Sequence, residues 1–130
     1  MRPELADTFL GLHDGALSRC PALPNCRCSQ HPEDVDHFVQ PFAFEGEADA
    51  AWDRLRQTLD DLPRVAVLRD ERPYLHARFT TRIWRFEDDV EFLLDADAGV
   101  IHVRSASRLG RSDLGANGQR VEALRRRLGG

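Results

Sequence analysis

Four arginines, three serines, three glycines, an aspartate and an asparagine fall within the seventeen residues from Arg104 to Arg120. That mixture suits recognition of an anion or a small polar ligand. Arg104, Arg108 and Arg120 can supply planar guanidinium forks that match carboxylate or phosphate oxygens. Ser105, Ser107 and Ser112 add hydroxyls, and Asp113 lies in the same stretch. Asn117 stands where a helix should begin, and the free amides of a helix start favour an anion. The glycines at 110, 115 and 118 match no phosphate-loop spacing, which argues against a nucleotide. The bland counterpart is a structural ion-pair array, in which Glu87, Asp88, Asp89 and Glu91 already occupy these arginines.

Two other chemistries have the right residue types. Paired carboxylates can divide acid and base roles, and Asp89 and Glu91 would share one face of a strand. Asp88 would point the other way. No serine, cysteine or histidine arrangement reads as a nucleophile motif, and the five histidines are scattered. Cys20, Cys26, Cys28 and His31 place four soft ligands close together. Their spacing is not a recognised zinc arrangement and no second cysteine pair completes it, so no metal and no cofactor are expected. An apolar ligand between sheet and helices is a further alternative, lined by Trp52, Phe79, Trp84, Phe86 and Phe92; aromatic side chains dominate ordinary cores too.

These residues need elements to hold them. Residues 4–12 carry Leu5, Phe9 and Leu12 at helical spacing, and 14–36 reads as a Pro-rich loop. Residues 37–44 suggest an edge strand interrupted by Pro41. Ala48, Ala51, Trp52, Leu55, Leu59 and Leu62 mark one face of a helix over 47–61. Strands at 64–69 and 74–81, then 86–95 and 100–107, follow through short turns and should pair antiparallel. A helix over 117–128 closes the chain, with Asn117 as its N-cap and Val121, Leu124 and Leu128 inward. The Arg125–Arg127 run at its end complements the helix dipole.

The second hairpin can be put in register. With Phe92 opposite Val103, Val90 faces Ser105 and Leu94 faces Ile101. Glu91 then meets Arg104, and Glu87 meets Arg108, on the other side. Opposite charges directly across a strand pair contribute roughly 0.2–1 kcal/mol each. A one-residue slip would bury those charges and expose Phe92 and Val103, so the register is well specified.

The whole is read as one domain, with an N-terminal Cys/Pro part over 1–36 and a core over 37–130. The fold class is α+β: an antiparallel sheet of about five strands with two main helices on one face and an N-terminal Cys-containing loop. With 130 residues, 42% hydrophobic and 31% charged, the chain has the balance of a globular protein. Every basic residue is arginine, yet the net charge is −4, so there is no global footprint for nucleic acid. No window is long and apolar enough for a membrane span, and no targeting signal is visible, so a cytosolic location is expected.

The runs Phe86-Glu-Asp-Asp-Val-Glu-Phe92, Val103-Arg-Ser-Ala-Ser-Arg-Leu-Gly110 and Ser112-Asp-Leu-Gly-Ala-Asn117 resemble the core of the domain-of-unknown-function 1499 family. The loop Cys20-Pro-Ala-Leu-Pro-Asn-Cys26 is similar to that family's Cys-Pro…Pro-Asn-Cys signature, with Cys28 where serine is usual. The resemblance covers about residues 9–128. It implies no particular activity, and it implies relatives that are often exported or membrane-anchored. Two readings of the cysteines follow: reduced thiols, or a Cys20–Cys26 disulfide carried over from such relatives, with Cys28 left free.

The functional expectation is a non-catalytic binding or accessory module. Its partner would be an anionic or polar small molecule or protein, taken up by the Arg104–Arg120 segment. An enzyme using Asp89 and Glu91 with Arg104 and Arg108 is the alternative. An open sheet face would also invite a homodimer.

Overall fold

The computed structural model describes residues 10–83, 85–108 and 115–130. Its elements are β1 (Leu12–His13), β2 (Ala16–Leu17), β3 (Cys26–Cys28), β4 (Phe42–Ala43), α1 (Ala48–Asp61), β5 (Val65–Glu71), β6 (Tyr74–Thr80), β7 (Glu87–Asp95), β8 (Val100–Ser107) and α2 (Ala116–Leu128). β5 to β8 form a meander, and β3 and β4 both pair with the outer edge of β8, giving a six-stranded sheet. All of these named strand pairs are antiparallel. The α+β class and the two-helix layer are as the sequence indicated.

The two helices cover one face because each presents a single apolar stripe. Ala51, Trp52, Leu55 and Leu59 of α1, with Val121 and Leu124 of α2, are buried against Leu75, Val90, Phe92 and Val103 of the sheet. The closed core is tight: Phe42 and Phe92 pack with ring centroids 6.5 Å apart. At the end of α2, Gly129 takes a left-handed backbone (φ 82°) and its N–H donates to the Arg125 carbonyl, a glycine stop that L side chains adopt only with strain. Arg125 itself reaches the Gln40 and Pro41 carbonyls and lies over the Phe42 ring, pinning the helix end to the strand that precedes α1.

Three local expectations change. The loop over 14–36 contains β2 and the edge strand β3, which at two and three residues are too short to show a period-2 pattern. The strand over 37–44 shrinks to Phe42–Ala43, plus an isolated bridge between Cys28 and Phe38. The helix over 4–12 is replaced at its end by bends at Leu10 and Gly11 and by β1, and residues 4–9 lie outside the described ones. The second sheet face is also not simply open. The β1–β2 segment lies against it, and Leu17, Cys20, Cys28, Tyr74 and Leu93 form a small second cluster there.

Candidate functional site

The β7–β8 hairpin pairs as its charge pattern requires: Phe92 opposite Val103, Val90 opposite Ser105, Leu94 opposite Ile101 and Glu91 opposite Arg104. Alternation then divides the Arg104–Arg120 residues between two faces of the sheet, so they do not converge on one ligand.

On the helix face, Asp88, Ser105 and Ser107 meet Asn117 and Arg120 of α2. Asn117 accepts from the Ser105 hydroxyl (2.6 Å) and Arg120 (2.8 Å), and donates to the Asn25 carbonyl (3.0 Å) and the Ser107 hydroxyl (2.9 Å). Arg120 also donates to Asp88 (2.6 Å) and lies over the Phe79 ring. Asn117 is therefore a buried junction inside the first turn. Gly115 is the N-cap, because the amide is consumed in tying α2 to the sheet and to the β3 approach. An anion at this helix start would have to displace these bonds. Ser112 and Asp113 lie outside the described residues.

On the outer face, two arginine–carboxylate pairs sit two residues apart. The inner one is sealed. Glu91 is 0% exposed and Arg104 2%. The carboxylate accepts from the Tyr74 hydroxyl (2.6 Å) and from the Gly11 N–H (2.8 Å), and Arg104 approaches it at 3.3 Å. Among the described residues Arg104 otherwise reaches only the Arg19 carbonyl at 3.5 Å, and its Nε has no partner there. Burial and the neighbouring Glu91 charge push the Tyr74 phenol well above its ordinary range, so it is a hydrogen-bond donor at any working pH. The Glu91 carboxylate lies out of contact with solvent. No solute reaches it while the N-terminal segment is in place.

In the outer pair Asp89 is buried and only Arg108 reaches the surface. Asp89 accepts from Arg108 through both oxygens (3.0 Å each) and from His76 Nε2 (2.7 Å), while Arg108 also donates to Glu87 (2.6 Å). The Arg108 side chain remains 29% exposed. Burial alone would raise the Asp89 carboxyl, but the bonds from His76 and Arg108 outweigh it and hold the group below the usual carboxylate range. Arg78 stands opposite Asp89 in register and makes no ion pair among the described residues. Sequence reasoning singled out neither His76 as the partner of Asp89 nor Arg78. The β6–β7 register was the missing signal, since alternation from Tyr74 places both on this face.

At the other end of the same face, a cavity of about 370 Å³ opens between Gly15, Gln30, Pro73, Leu93, Asp95 and His102. Ser29 Oγ bonds His102 Nδ1 at 2.9 Å and receives the Val103 N–H, and burial lowers the His102 pKa. Of the aromatic residues weighed for an apolar ligand, Trp52 and Phe92 are packed in the core, Phe79 packs against it, and Phe86 is at the surface. Trp84 lies outside the described residues.

Cys20 and Cys26 form a disulfide, with Cα atoms 5.6 Å apart, and Cys28 is a buried free thiol whose pKa is raised by that burial. No group of three or more His, Cys, Asp or Glu among the described residues is placed to hold a metal. No helix there is long and apolar enough to cross a membrane.

No curated protein and no solved structure matches the chain. One family model does, that of a protein of unknown function (DUF1499), over residues 16–128. That span holds both arginine–carboxylate pairs and the disulfide, and the chain belongs to the DUF1499 family.

Proposed function

We propose that the chain is a non-catalytic binding module that takes an anionic partner through the Arg108 end of the Arg104–Arg120 segment. The observation that carries this reading is the posture of Arg108. Two carboxylates orient its guanidinium, its side chain is 29% exposed, and Arg78 stands across Asp89 with no ion pair of its own among the described residues. An anion bridging Arg78 and Arg108 would gain a second cation without stripping the first of its partners. Arg104, in contrast, has no role at the ligand in this reading; it supports the sheet.

The test is a titration with inorganic phosphate followed by NMR of the arginine Nε–H signals. The expected result is a saturable shift confined to Arg78 and Arg108, lost in Arg108→Ala and in Arg78→Ala but retained in Glu87→Gln. Shifts spread evenly over all exposed arginines, or none, would overturn the proposal. Native mass spectrometry of protein purified without added ligand would show whether a partner is retained.

A second reading is favoured by one contact. His76 bonded to Asp89 at 2.7 Å is a carboxylate-oriented imidazole, the arrangement a general base requires. An enzyme of this kind would use Asp89 as the orienting group, His76 as the base and Arg108 for the anionic substrate. His76→Gln would then abolish turnover while phosphate affinity survives, whereas a binding module would be indifferent to it. The disulfide supports a compartment in which thiols oxidise, against the cytosolic expectation. The intact mass of the native protein decides between them, since the bridge removes two hydrogens.

A further inference from the structure

The tip of the β6–β7 hairpin takes no part in either reading and has a chemistry of its own. Residues 81–86 read Thr-Arg-Ile-Trp-Arg-Phe and contain no acid, in a chain whose net charge is −4. Of the described positions there, Ile83 is 77% exposed and Phe86 57%. Among the large apolar side chains exposed in the described residues, these two alone share a loop. Arg82 and Arg85 are exposed beside them, and neither makes an ion pair among the described residues.

Thr81 and Phe86 close the base of the tip. The Thr81 N–H donates to the Phe86 carbonyl, and the Phe86 N–H donates to the Thr81 hydroxyl, each at 2.8 Å. Arg85 holds a left-handed backbone (φ 59°), a conformation that glycine or asparagine adopts at less cost. The nearest acids do not cancel the two cations. Glu87 is bonded to Arg108, and Asp89 to Arg108 and His76. At physiological ionic strength the remaining acids act over about 8 Å only, so the tip presents its own charge.

We propose that this tip is a membrane-surface contact that docks on anionic lipid headgroups. Apolar side chains that enter the headgroup boundary, flanked by arginines that meet lipid phosphates, bind in proportion to both terms. Neither a purely anionic nor a purely apolar partner fits the alternation, because each would leave half of the tip unsatisfied. The proposal is independent of the phosphate site at Arg108.

The test is flotation of the full chain, in its disulfide-bonded form, with two sets of vesicles. One is phosphatidylcholine alone and the other contains roughly one-third phosphatidylglycerol. The expected result is flotation with the anionic vesicles and on the order of tenfold less with the neutral ones. The double variant Arg82→Glu/Arg85→Glu should abolish it, and so should Ile83→Glu. All three positions are exposed, so circular dichroism should show an unchanged fold. Arg108→Ala should float like the parent, which keeps a failure here distinct from a failure of the phosphate site. Absence of flotation, equal flotation with both vesicles, or indifference to Ile83→Glu would each overturn the proposal. Retention on heparin without flotation would assign the arginines to a soluble polyanion and overturn it as well.

Discussion

Glu91–Arg104 and Asp89–Arg108 are the same kind of pair on the same face of one hairpin, yet they serve different ends. The first lies beneath the N-terminal segment, with Tyr74 and Gly11 completing the carboxylate and little left for the guanidinium. The second lies at the margin, where His76 and Glu87 complete it and water reaches Arg108. A charge pair that is sealed has its large effect when one partner is removed, because the other is then stranded in a low dielectric. In the marginal pair the carboxylate is buried too, but its second donor, His76, keeps it from being stranded, and the part-exposed Arg108 remains within reach of a ligand. Burial, more than chemistry, separates a structural arginine from a binding one here.

The comparison can be broken most severely at its sealed end. Glu91→Ala should lower stability by about 3–5 kcal/mol, since Arg104 would remain buried without a counter-charge; urea denaturation gives the value directly. An equal and small loss at both pairs would show that the sealed pair is not sealed. Next comes the cover. Gly11 holds φ 87° while donating to Glu91, so Gly11→Ala should cost roughly 1–2 kcal/mol through backbone strain. It should also speed hydrogen exchange at Glu91 and Arg104 while leaving Asp89 unaffected.

At the marginal pair, Arg108→Ala should cost less than the sealed pair, about 1.5–3 kcal/mol, because His76 still bonds the buried Asp89 carboxylate, while removing phosphate binding. The pH dependence sharpens the same point. Asp89 is held below its ordinary range, so the stability it supplies is present above about pH 4 and is lost as pH falls through the lowered value. Arg108→Ala should therefore move acid unfolding to higher pH.

The smallest effect belongs to His102. Burial lowers its pKa, so protonation favours the unfolded chain, and the protein should begin to lose stability as pH falls below about 6.5. His102→Gln should flatten that part of the profile. His37 runs the opposite way, because its bond to Asp34 raises its pKa and contributes most below that pH.

Much of the scaffold was legible in residue order. α1 announces itself by Ala51, Trp52, Leu55 and Leu59, and the β7–β8 hairpin by alternating apolar and charged residues. The strands β1, β2 and β3 were not legible, because two or three residues carry no period; β4 was legible as part of an edge strand but not in its extent, and the pairing of β3 and β4 is a property of the β8 edge. Of the candidate site, Arg108 and Asp89 were visible as a pair of types. His76 and Arg78 were not, because they belong to a different hairpin and meet Asp89 only through the β6–β7 register.

Residue order by itself determined which side chains oppose each other on β7 and β8. A slip would place Phe92 in the polar layer and Glu91 in the apolar one, and no other pairing satisfies both patterns. Which of the two arginine–carboxylate pairs is shut away was decided only in three dimensions. The donor that closes over Glu91 is the backbone of Gly11, eighty residues distant in the chain. A backbone N–H has no side-chain signature, so only the folded path of the N-terminal segment could bring it there.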